Sequence, residues 1–324
     1  MIISFNHNNR VFLRHFENYF YSHAPRNYGF SEPTRRFRGP TCFRDYSLGR
    51  NFSYFVHARD GINRLVLFDA DDGPGLKPDE FKLIDKSFKR LMNDFEISDF
   101  MILKAQYCEI PVLTRYYPYF DKTYPLGYFC DNQASFHQKS LEMGKKERNI
   151  DFLWIGKIYS HTTTSMWPDD LSIDYWSARK RKQIYDELLR IRDKRPDWNL
   201  IISDKSLKMS EYMDLLDRTR VCIEIPGIGY MTRRFIENLI LGKCILGTPS
   251  MTKFNFEIKE GYHYESYSYD VTDLESKMES LISSPDRISE IEKNVKNIKK
   301  FLTYDHTISH IYDTFERHFG VSFL

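Results

Sequence analysis

Hydrophobic positions in the second half of the chain fall into short apolar runs that alternate with amphipathic segments. The runs predict strands, because each is bounded by Gly, Pro or polar residues and is too short for a buried helix; they cover residues 150–155, 198–203, 221–225 and 244–246. The intervening segments repeat apolar residues at helical spacing and predict helices at 177–194, 210–218 and 231–241. This alternation of strand and helix predicts a doubly wound parallel sheet.

Helix boundaries in this half carry their own signals. Pro196 ends the first helix, because proline cannot continue the hydrogen-bond ladder. Ser210 is expected to cap the second helix, and Gly242 to close the third in the left-handed conformation.

The first half shows a less regular alternation, and a polar stretch at 127–149 separates it from the second. Apolar runs predict strands at 1–5, 52–57, 64–68 and 100–103, and helical spacing predicts helices at 11–21 and 78–93. After the second sheet, helices are expected at 272–283, 285–301 and 307–319. We therefore predict an α/β protein of two Rossmann-like, doubly wound domains facing a cleft. They would cover residues 1–140 and 141–324, with the option that the last helix returns to the first domain.

Composition narrows the choice of function. The chain has 324 residues, with 47 Lys and Arg against 45 Asp and Glu, so bulk charge would not hold nucleic acid or an anionic membrane. The one basic stretch, residues 26–50, is interpreted as a solvated loop. Five cysteines without a C-x-x-C pair argue against a disulfide framework and a zinc site. No apolar run is long enough to span a membrane, and we expect a soluble, cytoplasmic protein.

The segment 221–246 contains the most specific pattern. A strand leads into a loop with Gly227 and Gly229, and a helix opens near Thr232. Glycines let a backbone approach an anion, and the first turn of a helix offers free N–H groups and a positive dipole end. Arg233 or Arg234 adds a guanidinium suited to phosphate oxygens. Glu237 lies on a neighbouring part of the helix, where a carboxylate could reach ribose hydroxyls.

The stretch Pro226-Gly-x-Gly, Thr232-Arg-Arg-Phe-Ile-Glu237 and Leu241-Gly-Lys-Cys-Ile-Leu246 resembles the donor-binding region of GT-B glycosyltransferases, group 1 and exostosin-like. The likeness extends more weakly to the strand ending at Gly156 and to Arg179 on the helix that follows it. In the first half, residues 67–72, 103–104 and 124–127 are similar landmarks. The likeness covers about half of the chain.

The resemblance implies a transferase that moves a sugar from a UDP- or GDP-sugar to a hydroxyl acceptor, a glycan, a lipid or another molecule. Arg233 or Arg234 would contact the diphosphate and Glu237 the ribose, with Gly156, Arg179, Gly227, Gly229 and Thr232 completing the donor site. Retaining members of the family often carry a glutamate where this chain has Gly229, which favours inversion. No cofactor beyond the donor is required, and the need for a divalent metal is left open.

Inversion requires a base that deprotonates the acceptor, and we expect it from the first domain. The candidates are Asp69, Asp71 and Asp72, in a Gly/Pro turn after a strand, and His7 after the first strand. Asp69-Ala-Asp71 also spells the D-x-D of metal-dependent transferases, but three residues are a weak signal and no metal ligand is assigned. A calcium loop is excluded because Pro74 stands where glycine is required.

Two alternatives use the same fold. A non-catalytic protein would bind a nucleotide or glycan without turnover, and a transferase acting on modified DNA would use Arg35 to Arg50 on phosphates. Nucleic acid is not favoured, because the net charge is close to zero. The aromatic residues between 262 and 269 could stack a base or sugar, but their alternation is more typical of a half-buried strand.

Overall fold

The computed structural model describes residues 2–7, 52–69, 78–105, 107, 119–127, 133–158, 178–226, 231–250 and 252–322. The predicted helix at 11–21 and the basic stretch at 26–50 lie outside these residues. By internal contacts the chain divides into two compact units. The first unit comprises Met1–Asp131, Lys253–Asn255 and Tyr304–Leu324, and the second unit comprises Asn132–Thr252 and Phe256–Thr303.

The strands and helices of the described residues are numbered along the chain. The strands are β1 Ile2–His7, β2 Phe52–Arg59, β3 Ile62–Asp69, β4 Ile97–Lys104, β5 Thr123–Pro125, β6 Ile150–Ile155, β7 Leu200–Ser203, β8 Thr219–Ile223, β9 Cys244–Gly247 and β10 Glu265–Ser266. The helices are α1 Pro78–Asp94, α2 Gln133–Ser140, α3 Ala178–Lys194, α4 Met209–Arg218, α5 Arg233–Leu241, α6 Leu274–Ile282, α7 Pro285–Ile298 and α8 Tyr304–Phe319.

The second unit contains a parallel sheet in the order β10-β9-β8-β6-β7. Its central strands β6, β8 and β9 are mostly apolar and buried, with polar residues near the starts of β6 and β8, as is typical of a parallel sheet covered by helices. The predicted α/β class with a parallel sheet is confirmed, and β6 has the predicted bounds.

Helix boundaries in the second unit follow the expected signals with one exception. Gly242 adopts φ 72° and closes α5 as predicted, since a residue with a side chain rarely takes that conformation. The prediction that Ser210 caps α4 was wrong, because α4 begins at Met209 and Ser210 lies inside it. Glu211 does the capping instead, its Oε2 accepting a 3.0 Å hydrogen bond from the Lys208 N–H.

The sheet of the first unit is mixed, so the prediction of a doubly wound parallel sheet holds there only in part. β1, β2 and β3 are antiparallel neighbours, whereas β3, β4 and β5 are parallel. The turn between β2 and β3 is Asp60-Gly61, with φ of 57° and 73°. Two left-handed residues make the tight turn that matches the twist of a hairpin.

The aromatic stretch after β9 forms only the short strand β10. Tyr264 and Tyr267 are buried in the second unit, whereas Tyr262 is exposed. The Tyr264 hydroxyl accepts a hydrogen bond from the Ser250 N–H at 3.0 Å. These two tyrosines are therefore part of the core and do not offer a stacking surface. Among the described residues, no helix is long and apolar enough to cross a membrane.

Candidate functional site

The order of strands in the second unit places a switch point between β6 and β8. The chain runs from β6 outward to β7 and then returns to the other side of β6 to form β8. Crevices in open α/β sheets lie at the carboxyl ends of the strands at such a point. Gly156 follows β6 there and Glu224 follows β8.

Gly156 lies in direct contact with two arginines. Its N–H donates to the Ser203 carbonyl at 2.8 Å, which continues the pairing of β6 with β7. A Cβ at this position would lie 2.7 Å from Nη2 of Arg181, 2.7 Å from Trp154 and 3.2 Å from Nη1 of Arg234. Only glycine allows both guanidinium groups to approach the backbone this closely.

Arg181, in the first turn of α3, ties together the segments that follow β6 and β8. It is 7% exposed, and its Nε donates to the Lys157 carbonyl at 2.8 Å. Its Nη1 donates to the carbonyls of Ile225 at 3.2 Å and Pro226 at 2.9 Å. These bonds fix the backbone on both sides of the switch point.

From the sequence, Arg179 was predicted to be the donor-site arginine of this helix, and Arg181 was not identified. Residue 179 belongs to the first turn of α3, but its side chain lies outside the described residues. The signal for Arg181 was only its place two residues further along a helix rich in basic residues.

Thr232 is the N-cap of α5 by its extended backbone, but its side chain does not cap the helix. The hydroxyl instead donates a hydrogen bond to Oε1 of Glu224. An N-cap threonine usually accepts a hydrogen bond from an N–H of the first turn. The Thr232 side chain makes no such bond here. The positive end of the α5 dipole lies at this start of the helix, beside the switch point.

Glu237 is engaged on both carboxylate oxygens. Oε1 accepts from Nε of Arg233 at 2.9 Å, and Oε2 accepts from the Tyr212 hydroxyl at 3.3 Å. Burial raises the pKa of Glu237, and the neighbouring Arg233 opposes that rise. Burial also raises the pKa of Tyr212, so the hydroxyl stays protonated and donates to the carboxylate.

The two arginines of α5 are not equivalent. Arg233 is held by Glu237 and is 42% exposed, while Nη1 of Arg234 lies beside Gly156. Within the described part of the chain, Arg234 has no hydrogen bond or ion pair. Its charge is felt by both acidic neighbours, since it opposes the rise in the pKa of Glu224 and of Glu237. Arg234 is thus the arginine of α5 that Glu237 does not hold.

Glu224 completes the cluster and was missed by the sequence analysis. It is 6% exposed, and the Tyr267 hydroxyl donates to its backbone carbonyl at 2.9 Å. Burial raises the pKa of Glu224 to about 7, opposed by the Thr232 hydrogen bond and by Arg234 and Arg181. A charged residue inside the apolar run Cys222-Ile-Glu-Ile225 was the available signal.

The remaining predicted residues fall elsewhere. Gly227, Gly229, Asp71 and Asp72 lie outside the described residues, as does the side chain of His7, the last residue of β1. Asp69 is fully buried at the end of β3, where Nζ of Lys104 donates to its Oδ2 at 2.8 Å. Its carboxylate is therefore occupied by a lysine inside the first unit.

No protein-family model matches the sequence, and a search of curated proteins found no match.

Proposed function

We propose that the protein is a glycosyltransferase that binds a UDP- or GDP-sugar at the switch point of the second unit and transfers the sugar to a hydroxyl acceptor. The observation that supports this best is the pairing of Arg234 with Gly156. The guanidinium of Arg234 has no hydrogen-bond partner among the described residues, and it lies beside Gly156, which has no side chain. Arg234 also belongs to the first turn of α5, whose N-cap side chain makes no capping hydrogen bond. This combination suits a diphosphate.

Sugar transfer requires stabilisation of the leaving diphosphate and removal of a proton from the acceptor. The acceptor oxygen attacks the anomeric carbon, the bond from that carbon to the diphosphate oxygen breaks, and the electron pair leaves with the diphosphate. Arg234 and the α5 N-terminus would stabilise the charge that develops on the leaving group. The acceptor proton would pass to a base.

The proposed fold family is GT-B, with the donor on the second unit and acceptor-side residues from the first. The Lys104 ion pair of Asp69 favours Asp71, Asp72 or His7 as the base. Gly229, at the position where retaining relatives carry a glutamate, supports inversion. Glu237, the proposed ribose contact, would reach a hydroxyl through an oxygen shared with Arg233 or Tyr212.

Calorimetric titration with UDP and GDP tests the donor site. We expect one nucleotide to bind and Arg234→Ala to weaken its binding by about tenfold or more. Arg220→Ala is the matched control, because Arg220 also belongs to the second unit but pairs with Asp151 at 3.2 Å near the amino ends of β8 and β6, away from the switch point. Failure of both nucleotides to bind the native protein would overturn the proposal.

A second assay separates an enzyme from a binding protein. Incubation with UDP- and GDP-sugars and water or simple glycosides as acceptors should release UDP or GDP, and Arg234→Ala should slow that release. Nucleotide binding without release from any donor would instead support the non-catalytic alternative.

A further inference from the structure

The carboxylate of Glu224 accepts a hydrogen bond from the hydroxyl of Thr232, the N-cap residue of α5. Its Oε1 accepts the hydrogen bond of Thr232, and its side chain lies close enough to Gly247 that a Cβ there would be 3.3 Å from Cβ of Glu224. The carboxylate is therefore confined between the ends of β8 and β9 and the start of α5. In this arrangement the Thr232 side chain makes no capping hydrogen bond to α5.

The charged surroundings of Glu224 come from several elements. Arg181 on α3 and Arg234 on α5 favour its ionised form, whereas Glu237 on α5 favours its neutral form. Three weakly acidic side chains complete the environment and feel the charge of Glu224; they are Tyr212, Cys222 and Tyr267. The balance is between two positive groups and two buried carboxylates.

We propose that Glu224 is a positioning residue that keeps the start of α5 open for the donor diphosphate and takes up a proton when that diphosphate binds. The inference rests on the proposed donor site and adds a proton to its binding equilibrium. The diphosphate brings negative charge to Arg234, which then compensates Glu224 less. A proton from solvent neutralises the carboxylate, and the neutral carboxyl still accepts from Thr232 through its carbonyl oxygen.

The pKa of Glu224, about 7 in the free protein, makes this uptake measurable near neutrality. A group that is half protonated before binding and fully protonated afterwards takes up roughly half a proton at about pH 7. Because binding consumes a proton, the affinity for the diphosphate falls as pH rises above about 7. Below about pH 5 the carboxyl is already protonated and no proton is taken up.

Calorimetry in two buffers of different ionisation enthalpy counts the protons. UDP-glucose and GDP-mannose are the probes, because their diphosphates carry no proton that titrates near neutral pH. We expect native protein to take up roughly half a proton at about pH 7 and Glu224→Gln to take up almost none. From about pH 6.5 to 8.5, the affinity of the native protein should fall by up to about tenfold more than that of Glu224→Gln.

Glu292→Gln is the matched control. Glu292, on α7, is also buried in the second unit and is 7% exposed. Unlike Glu224, it forms an ion pair with Arg148 at 2.8 Å. This variant should keep the proton uptake of the native protein. If Glu224→Gln does not fold, the native protein alone decides, since its uptake must rise from almost none at about pH 5 to roughly half a proton at about pH 7 and reach its largest value above about pH 7.

The outcomes separate the two proposals. Binding with the same proton uptake in native protein and Glu224→Gln overturns the inference about Glu224 and leaves the donor site intact. If neither sugar nucleotide binds, UDP and GDP replace them, and the Gln variant reports the nucleotides' own protons. Absence of binding by all four probes overturns both proposals.

Discussion

Nε of Arg233 lies 2.9 Å from Oε1 of Glu237, one turn further along α5. The carboxylate side chain is 7% exposed and the arginine 42%, so a buried acid is held by a partner that reaches into solvent. The neighbouring Arg234 has no such partner among the described residues. Arg233 is therefore bound to Glu237 of the same helix, and Arg234 is the arginine that we propose contacts the ligand.

Replacing Arg233 by Ala should destabilise the protein more than it weakens nucleotide binding. The variant leaves Glu237 buried with only Tyr212, which costs about 1–3 kcal/mol of unfolding free energy. Since burial already raises the pKa of Glu237, losing Arg233 raises it further. The cost is then larger where the unfolded carboxyl is ionised, so urea unfolding should show a greater loss at about pH 8 than at about pH 5.

Arg190→Ala is the control for this comparison. Arg190 pairs with Glu187 at 2.6 Å on the exposed face of α3, and pairs in that position contribute little to stability because solvent screens them. An equal loss for Arg233→Ala at both pH values would contradict a buried, ionisable partner.

Replacing Gly156 by Ala should impair the site without a change of charge. The added Cβ would meet Nη2 of Arg181 and the Trp154 ring at 2.7 Å, so a buried side chain or the β6 end must shift. Such overpacking costs about 1–3 kcal/mol. We expect nucleotide affinity to fall by about tenfold or more, because Arg234 is displaced with its neighbours. Binding and urea unfolding measured on the same samples separate the two effects.

Gly320→Ala provides the matched control. Gly320 has φ 67°, and no atom lies within 4 Å of the methyl group that alanine would add, so the change adds backbone strain alone. It should lower stability by about 1 kcal/mol and leave nucleotide affinity unchanged. Native affinity in Gly156→Ala would show that the two guanidinium groups tolerate a methyl group.

The ion pair between Asp69 and Lys104 should behave as a structural unit. The two residues are register partners at the ends of β3 and β4, and their side chains are almost completely buried. Lys104→Met leaves a buried carboxylate without its lysine and should cost about 3–5 kcal/mol in urea unfolding. Adding Asp69→Asn to that variant should restore most of the loss, because the buried charge is then removed.

Activity assays on the same variants test the candidate base. If the Lys104→Met and Asp69→Asn double variant keeps transferring sugar, Asp69 is structural and the base lies elsewhere. Loss of transfer in a stably folded Asp69→Asn variant would instead support Asp69 as the base.

Local signals in the sequence predicted most elements of the second unit. The apolar run of β6 and the left-handed Gly242 at the end of α5 depend on neighbours within a few residues, so they are readable from the chain. The mixed order of the first sheet depends on pairing between distant strands. Its one local signal was the dipeptide Asp60-Gly61, which favours a hairpin and therefore an antiparallel pair.

The site was predictable only where it follows α5. Thr232, Arg234 and Glu237 were placed by helix spacing, but the pairing of Arg233 with Glu237 and the position of Arg234 beside Gly156 depend on side-chain directions. Arg181 and Glu224 belong to the site because the fold brings the ends of β6 and β8 together. The presence of Arg181 and Glu224 in the site cannot be predicted from spacing along the chain.

The place of α8 in the first unit has a consequence for how the protein is made. His318 of α8 contacts the Phe100 carbonyl at 2.8 Å, and His310 contacts the Pro125 carbonyl at 2.7 Å. A ribosome releases the strands that carry these carbonyls well before it synthesises α8. The second unit has nearly all of its chain by then, so it can fold during translation while the first unit waits for its last helix.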